Sequence, residues 1–234
     1  MIGSKRSQQL VAQMNITVKV GSLDIAPSTS ARNLGAVLDS DFSFNKHVAN
    51  LVKGTYFHLR RIRQIRPFLT ADSCKKVIHA CVTSRLDFNN GLLAYCSKSS
   101  INRIQVVQNN AARVITGTRV RDHITPILKT LHWLPVQARI RYKMLSTIHR
   151  AIHDSNAPVY LKDFIEFSQP NRQLRSTADI LKLLPHSYNT VLFRKSLIVD
   201  HFNLWNDLPV FIREISSHDS FKAALKTFLF AQFY

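Results

Sequence analysis

The residues best suited to a chemical role are the lysines and arginines between residues 44 and 66, a stretch with six of them and no acidic residue. Lys46, Lys53 and Arg60 are spaced by seven residues, nearly two helical turns, which places them along one face of a helix. Such charges follow one another at roughly 10 Å, a spacing that suits a phosphate backbone. A solvated helix face is the alternative, but such faces usually pair Glu with Lys at i, i+4. The sequence therefore favours a polyanion-binding face.

Other basic residues extend this candidate binding surface. Some flank the line of charges within the same helix, and a second group follows Asn109 and Asn110. Arginine and lysine contacts with phosphates position a nucleic acid without reading its sequence. The candidate nucleic-acid-binding residues are Lys46, Lys53, Arg60, Arg61, Arg63, Arg66, Arg113, Arg119 and Arg121.

The sequence contains no complete pattern for catalysis or metal binding. Asp39 and Asp41 are the closest acids among twelve Asp and two Glu, and a two-metal site would need a third carboxylate. Asp41 is better explained as a residue that caps or precedes the first long helix. His149 and His153 have an i, i+4 metal-ligand spacing, but no Glu follows His149, so the His-Glu-x-x-His signature fails. We expect two partly exposed helix histidines, no catalytic residue and no metal site.

Composition and charge restrict the class of protein. The chain has 234 residues, 45% of them hydrophobic, which excludes a disordered chain despite the formal charge of +18. Residues 41–153 hold 19 basic and 4 acidic residues, a net charge of +15 in about half of the chain. Three cysteines without a Cys-x-x-Cys pair exclude a disulfide scaffold and a zinc finger. The sequence favours a soluble intracellular protein that binds nucleic acid or another anionic surface and has no membrane span.

The first part of the chain has the pattern of β-strands. Apolar and polar residues alternate from Ile16, and Gly21-Ser22 is predicted to form a two-residue hairpin turn. A loop is predicted over 26–31 and a short apolar strand over 34–38.

From residue 43 onward the apolar period becomes helical. Thr70 is predicted to cap the second helix, Ser99 or Ser100 the third, and Gly117 to end the third. Further helices are predicted at Thr125-Pro126, Pro135 and Pro158 and near 191–206 and 219–230. The predicted fold class is mainly α, with an N-terminal β-hairpin and strand followed by a helical region.

Several strings occur together in an order that resembles a known family. Residues 32–39 read RNLGAVLD, residues 58–67 HLRRIRQIRP and residues 84–93 SRLDFNNGLL. QVVQN follows at 105–109, LHWLPV at 131–136 and LWNDLP at 204–209. Together they resemble the C-terminal part of the reverse transcriptases of LINE-like, non-LTR retrotransposons, jockey-like elements among them. The resemblance covers roughly residues 30–230, with Phe88 and Asn89 where the family pattern has Tyr and Cys.

The resemblance implies an RNA-directed DNA polymerase whose fingers and palm, with the paired aspartates that bind Mg2+, precede this chain. Residues 1–40 would be a palm remnant, 41–96 a helical thumb-like domain, 97–167 a helical post-thumb region and 168–234 a C-terminal helical region with a loop. No cofactor is then expected in this chain, since Mg2+ belongs to the missing palm, and the chain alone should be inactive. The implied location is nuclear. The implied partners are RNA, DNA or an RNA–DNA hybrid bound through phosphates, and the missing palm and fingers.

Three functional hypotheses follow. The first is a non-catalytic fragment of a LINE-like reverse transcriptase that retains template–primer binding through residues 41–153. The second is a free-standing nucleic-acid-binding or RNA-chaperone module. The third is a decayed element without biochemical activity, whose exposed strand edges at 16–38 would aggregate.

Overall fold

The computed structural model describes residues 5–14, 16–163, 165–168, 181–184 and 199–234. The chain forms two compact units, Met1–Leu131 and His132–Tyr234, which we call unit 1 and unit 2. The sequence predicts segments that end at residues 40, 96 and 167. The segment predicted over 97–167 is therefore divided between the two units.

Unit 1 begins with a helix and a β-hairpin. The helix, α1 (Lys5–Gln13), is not anticipated by the sequence pattern. β1 (Val18–Val20) pairs antiparallel with β2 (Leu23–Ile25) around Gly21, whose positive φ of 63° suits a residue without a Cβ. This pairing confirms the predicted hairpin at Gly21-Ser22.

A second hairpin shortens the predicted loop over 26–31 to residues 26–29. β3 (Ser30–Asn33) pairs antiparallel with β4 (Ala36–Asp39), and Leu34 and Gly35 form the turn instead of beginning the apolar strand. The sequence of β3 lacks an apolar alternation because its side chains lie mostly at the surface. Its pairing with β4 therefore has no local signal.

Asp39 organises the start of the first long helix. Asp41 precedes that helix, as one of the two predicted alternatives has it, and its Oδ1 accepts from Ser43 N–H at 3.3 Å. One Asp39 carboxylate oxygen accepts from the backbone N–H of Phe44 at 3.0 Å, and the other accepts from Asn45 N–H and the Ser43 hydroxyl at 3.2 and 2.7 Å. Burial acts to raise the pKa of Asp39, but these hydrogen bonds outweigh it and hold the pKa below its ordinary value. A carboxylate at this point satisfies N–H groups that the helix cannot pair itself.

Besides the short 3-10 segments Arg66–Phe68 and Asn90–Tyr95 and the π-helical segment His79–Thr83, the described part of unit 1 contains five further α-helices. They are α2 (Asn45–Ile65), α3 (Ala71–Ile78), α4 (Ser84–Asp87), α5 (Lys98–Thr116) and α6 (Ile124–Thr130). The hydroxyl of Thr70 accepts from Ser73 N–H, which confirms the predicted cap of α3. Gly117, at φ 70°, ends α5 as predicted. The cap of α5 is Ser97 instead of Ser99 or Ser100, and α6 begins at Ile124, before the predicted Thr125-Pro126 start.

The core of unit 1 lies where α2 packs beside α5. Asn45 Oδ1 accepts from the Ser100 hydroxyl at 3.1 Å near the start of both helices. Farther along, Asn110 Nδ2 donates to the Tyr56 hydroxyl at 3.0 Å. Because residue numbers rise together along the contact, the two helices run parallel, and their C-terminal ends meet.

Unit 2 contains five described helices. They are α7 (Val136–His153), α8 (Val159–Lys162), α9 (Val199–Asn206), α10 (Val210–Arg213) and α11 (His218–Phe233). α7 packs against α9 and α11, and Trp205 and Phe221 are fully buried between them. The helix predicted near 191–206 is observed from Val199, and its earlier residues lie outside the described part of the chain. So does most of the loop predicted within 168–234.

The fold class confirms the prediction, because a short N-terminal antiparallel hairpin is followed by a mainly helical chain. Among the described residues, no helix combines the length and the apolar character that a membrane crossing requires.

Candidate nucleic-acid interface

Helix α2 presents two chemically different faces, as its sequence predicts. Val48, Thr55, Leu59 and Ile62 are at most 4% exposed and pack into the core of unit 1. Lys46, Lys53 and Arg60 lie on the opposite arc at 100° per residue, and the structure places all three at the surface. We call this line of charges, with Arg61 and Arg63 beside it, the basic face of α2.

The basic face carries little intramolecular compensation. Lys46 Nζ donates to the Ser30 hydroxyl at 3.1 Å, a neutral contact. Within the described residues, the side chains of Lys53, Arg60 and Arg63 make no ion pair. The ion pairs found elsewhere join residues three or four positions apart: Asp72–Lys76, Arg150–Asp154 and Asp219–Lys222. Unpaired exposed cations with no acid in the same helix repel one another and attract polyanions.

Arg66, which the sequence groups with the binding residues, uses its guanidinium in hydrogen bonds within unit 1. Its guanidinium donates to the carbonyls of Val114 and Ile115, both at 2.9 Å, and to the carbonyl of Leu69 at 2.8 Å. These acceptors include carbonyls in the last turn of α5, which a helix leaves without partners of its own. Arg66 therefore joins the C-terminal ends of α2 and α5 and does not belong to the basic face.

The second predicted group is divided in the same way. Arg113 holds the loop after α5, because its Nε and Nη2 donate to the carbonyls of Arg119 and Asp122 at 3.3 and 3.1 Å. Asp122 also accepts from the backbone N–H of Arg119 at 2.8 Å. The side chains of Arg119 and Arg121 are exposed. Since Arg66 reaches the end of α5, this loop lies near the C-terminal end of α2.

A cleft beside the basic face contains two arginines that sequence reasoning missed. The cleft has a volume of about 730 Å³ and lies between the β3–β4 hairpin, α2 and the segment 80–88. Arg32 and Arg85 line it from opposite elements, and both are exposed. Both residues fall within the strings that carry the family resemblance, so the signal was present, but only the tertiary structure brings β3 and α4 together.

Neutral groups complete the wall of the cleft. The His47 ring accepts from Val37 N–H at 3.4 Å, and burial lowers the pKa of His47, which favours its uncharged form. Farther along α2, burial also lowers the pKa of His58, and the positive charges of Arg85 and Arg61 lower it further. Arg61 and Arg85 therefore place positive charge beside this part of α2.

Phe57 is a second residue that the charge pattern did not reveal. It lies on α2 between Lys53 and Arg60, and its side chain is 54% exposed. The guanidinium carbon of Arg61 lies 4.7 Å from the centroid of its ring, in a cation–π contact. An aromatic residue four positions from two basic residues is a sequence signal for this arrangement.

The histidines considered for metal binding have a structural role. His149 is fully buried, which corrects the expectation that both helix histidines would be partly exposed; His153 keeps partial exposure. The His149 ring stacks on Phe221 with centroids 4.0 Å apart, and its Nε2 lies 2.6 Å from the carbonyl oxygen of Ile215. Across the described residues, no group of three or more His, Cys, Asp or Glu side chains could hold a metal ion.

Comparison of the chain with protein-family models, curated proteins and solved structures gives no match.

Proposed function

We propose that this chain is a non-catalytic, nucleic-acid-binding segment of a reverse transcriptase similar to those of LINE-like retrotransposons. In this proposal the basic face of α2 contacts the backbone of an RNA–DNA, DNA or RNA duplex, as expected of a thumb helix. The observation that carries it is the exposed line of Lys46, Lys53 and Arg60 without an acidic residue in α2.

The physical reason is the match between this face and a phosphate backbone. The helix axis advances roughly 10 Å between successive charges of the line, so one face reaches several phosphates. Each neutralised phosphate releases condensed counterions, which is the main source of affinity in sequence-independent binding. The opposite side of α2 is anchored in the core by Val48, Leu59 and Ile62, so the charges are held on a rigid element.

Replacing Lys46, Lys53 and Arg60 together by alanine is expected to weaken binding and reduce its salt dependence. Loss of three phosphate contacts makes the slope of log affinity against log salt concentration on duplex DNA shallower by about 2.7. The ratio of wild-type to variant affinity should therefore fall about 40-fold between 50 and 200 mM salt. The measurement is fluorescence anisotropy with an RNA–DNA hybrid, duplex DNA and single-stranded RNA over a salt series. Far-UV circular dichroism checks that the variant is folded.

A matched control removes the same charge from other elements. Lys19, Lys182 and Lys226 are exposed and lie outside α2. Their triple alanine variant also removes three positive charges, so it has the same net charge as the α2 variant. The proposal expects the control to bind much like wild type. Equal losses in the two variants would indicate diffuse charge only. Tight binding to one RNA in preference to the duplexes would favour a free-standing RNA-binding module.

The non-catalytic part of the proposal has its own test. The purified chain is expected to show no primer extension on an RNA template at any Mg2+ concentration, because no paired acids of the required kind lie in the sequence. Sustained extension by the pure chain would contradict the proposal.

A further inference from the structure

Phe57 is an exposed aromatic residue that does not serve the packing of the core. More than half of its side chain faces solvent, and its recorded ring contacts are with Arg61 and the adjacent His58. On the helix surface Lys53 lies one turn before it, and Arg60 and Arg61 lie one turn after it. The ring is therefore surrounded by positive charge on the basic face instead of being covered by apolar side chains.

Gly54 leaves open space beside this ring. It lies three residues before Phe57, so the two positions are neighbours on the helix surface. A Cβ added at Gly54 would meet no heavy atom within 4 Å, so close packing does not require glycine there. Glycine weakens a helix interior relative to alanine. Gly54 is therefore a residue of low helix propensity at a position where a side chain would fill the space next to Phe57.

The combination suits a flat, uncharged ring attached to a phosphate backbone. Every nucleobase has a π-face that stacks on aromatic side chains and on guanidinium planes. Lys53 and Arg60 can contact phosphates on either side of a base that stacks on the Phe57–Arg61 pair. A base paired within a duplex is already stacked on its neighbours and cannot reach the helix surface in this way.

We propose that the basic face of α2 binds single-stranded nucleic acid, with one unpaired base stacked against Phe57 and Arg61 in the space left by Gly54. This inference rests on the proposed function and deepens it, because it names unpaired strands as a ligand class of the same surface. A duplex would use the same cations but not the aromatic ring.

The test compares probes that differ in their bases and not in their phosphates. Phe57→Leu is measured with a short oligothymidine, an abasic oligonucleotide of the same length and a blunt duplex. We expect at least about a fivefold loss of affinity for oligothymidine and no loss for the abasic strand or the duplex. Phe57→Trp should restore binding to oligothymidine. Gly54→Leu, which fills the space but keeps the ring, should weaken oligothymidine binding alone.

Two results would overturn the inference: unchanged affinity of Phe57→Leu for oligothymidine, or an equal loss on the abasic strand. Because Phe57 is exposed, thermal unfolding of the Phe57 variants should match wild type. Gly54→Leu should be no less stable than wild type, because glycine weakens a helix interior. Thermal unfolding therefore separates these results from misfolding. The Lys46, Lys53 and Arg60 triple variant should lose affinity for all three probes. If it does and Phe57→Leu does not, only the stacking inference fails; if neither variant differs from wild type, the proposed function fails as well.

Discussion

Unit 2 is expected to lose about 3 kcal/mol of stability between pH 7 and pH 4 through His149 alone. Burial is the main cause that lowers the pKa of His149 from its ordinary value of 6.5 to about 4, and the charges of His153 and His218 lower it further. The hydrogen bond to the Ile215 carbonyl opposes this but does not outweigh it. The folded state therefore requires a neutral ring, whereas the unfolded chain takes up a proton near pH 6.5. The stabilisation is complete above that pH and is lost as the pH falls toward 4.

The hydrogen bonds around His149 show why protonation is unfavourable. The Ile215 carbonyl oxygen can only accept, so His149 Nε2 carries the proton and Nδ1 is an acceptor. His218 Nδ1, at 3.1 Å, must then be the donor, and His218 Nε2 accepts from the Ser146 hydroxyl at 3.4 Å. The chain of bonds is satisfied with both rings neutral. A second proton on His149 would set two donors against each other.

The measurement is urea unfolding of the full chain from pH 4 to pH 8, followed by tryptophan fluorescence. The sequence has two tryptophans, Trp133 and Trp205, and both lie in unit 2, so the signal reports this unit. His149→Phe should be less stable at pH 7 but should show a flatter pH dependence. His123→Ala, an exposed histidine of unit 1, should leave the dependence unchanged. An unaltered pH dependence in His149→Phe would contradict the assignment.

Replacing Arg66 by methionine is expected to destabilise unit 1 by about 3 kcal/mol. Three backbone carbonyls, those of Leu69, Val114 and Ile115, lose a charged donor. Hydrogen bonds to charged groups contribute about 1.5–3 kcal/mol each, and water replaces part of the loss because the site is only partly buried. The same substitution at Arg60, which is exposed, should change stability by less than about 0.5 kcal/mol.

Hydrogen exchange of the α5 backbone together with circular dichroism in urea separates the two arginines. Arg66→Met should raise exchange in the last turn of α5 and lower the unfolding midpoint. Arg60→Met should change neither property but should weaken nucleic-acid binding. Equal stability of the two variants would contradict the prediction that Arg66 joins α2 to α5.

Features that depend on neighbouring residues could be predicted from the sequence. The two faces of α2 follow from the spacing of Val48, Leu59 and Ile62 against Lys46 and Lys53, because a helix repeats every 3.6 residues. The cap at Thr70 and the end of α5 at Gly117 are equally local, since each requires one residue type at one backbone conformation. The hairpin at Gly21-Ser22 has the same origin.

Features that depend on distant residues could not be predicted. Arg66 has the same composition signal as Arg63, and only the parallel packing of α2 beside α5 distinguishes a structural guanidinium from a free one. The pairing of β3 with β4 and the cleft between Arg32 and Arg85 likewise join segments that share no local pattern.

The sequence by itself determined the excess of positive charge, the helical character and the acid-free basic face, because composition and periodicity are properties of short stretches. Only the tertiary structure decided which arginines remain available to a ligand and that His149 is buried. Burial and hydrogen bonding depend on which surfaces meet in the folded chain. Arg66 reaches the carbonyls of Leu69 and Ile115 only after folding. His149 likewise packs on Phe221 only after folding, when Ser146 also meets His218.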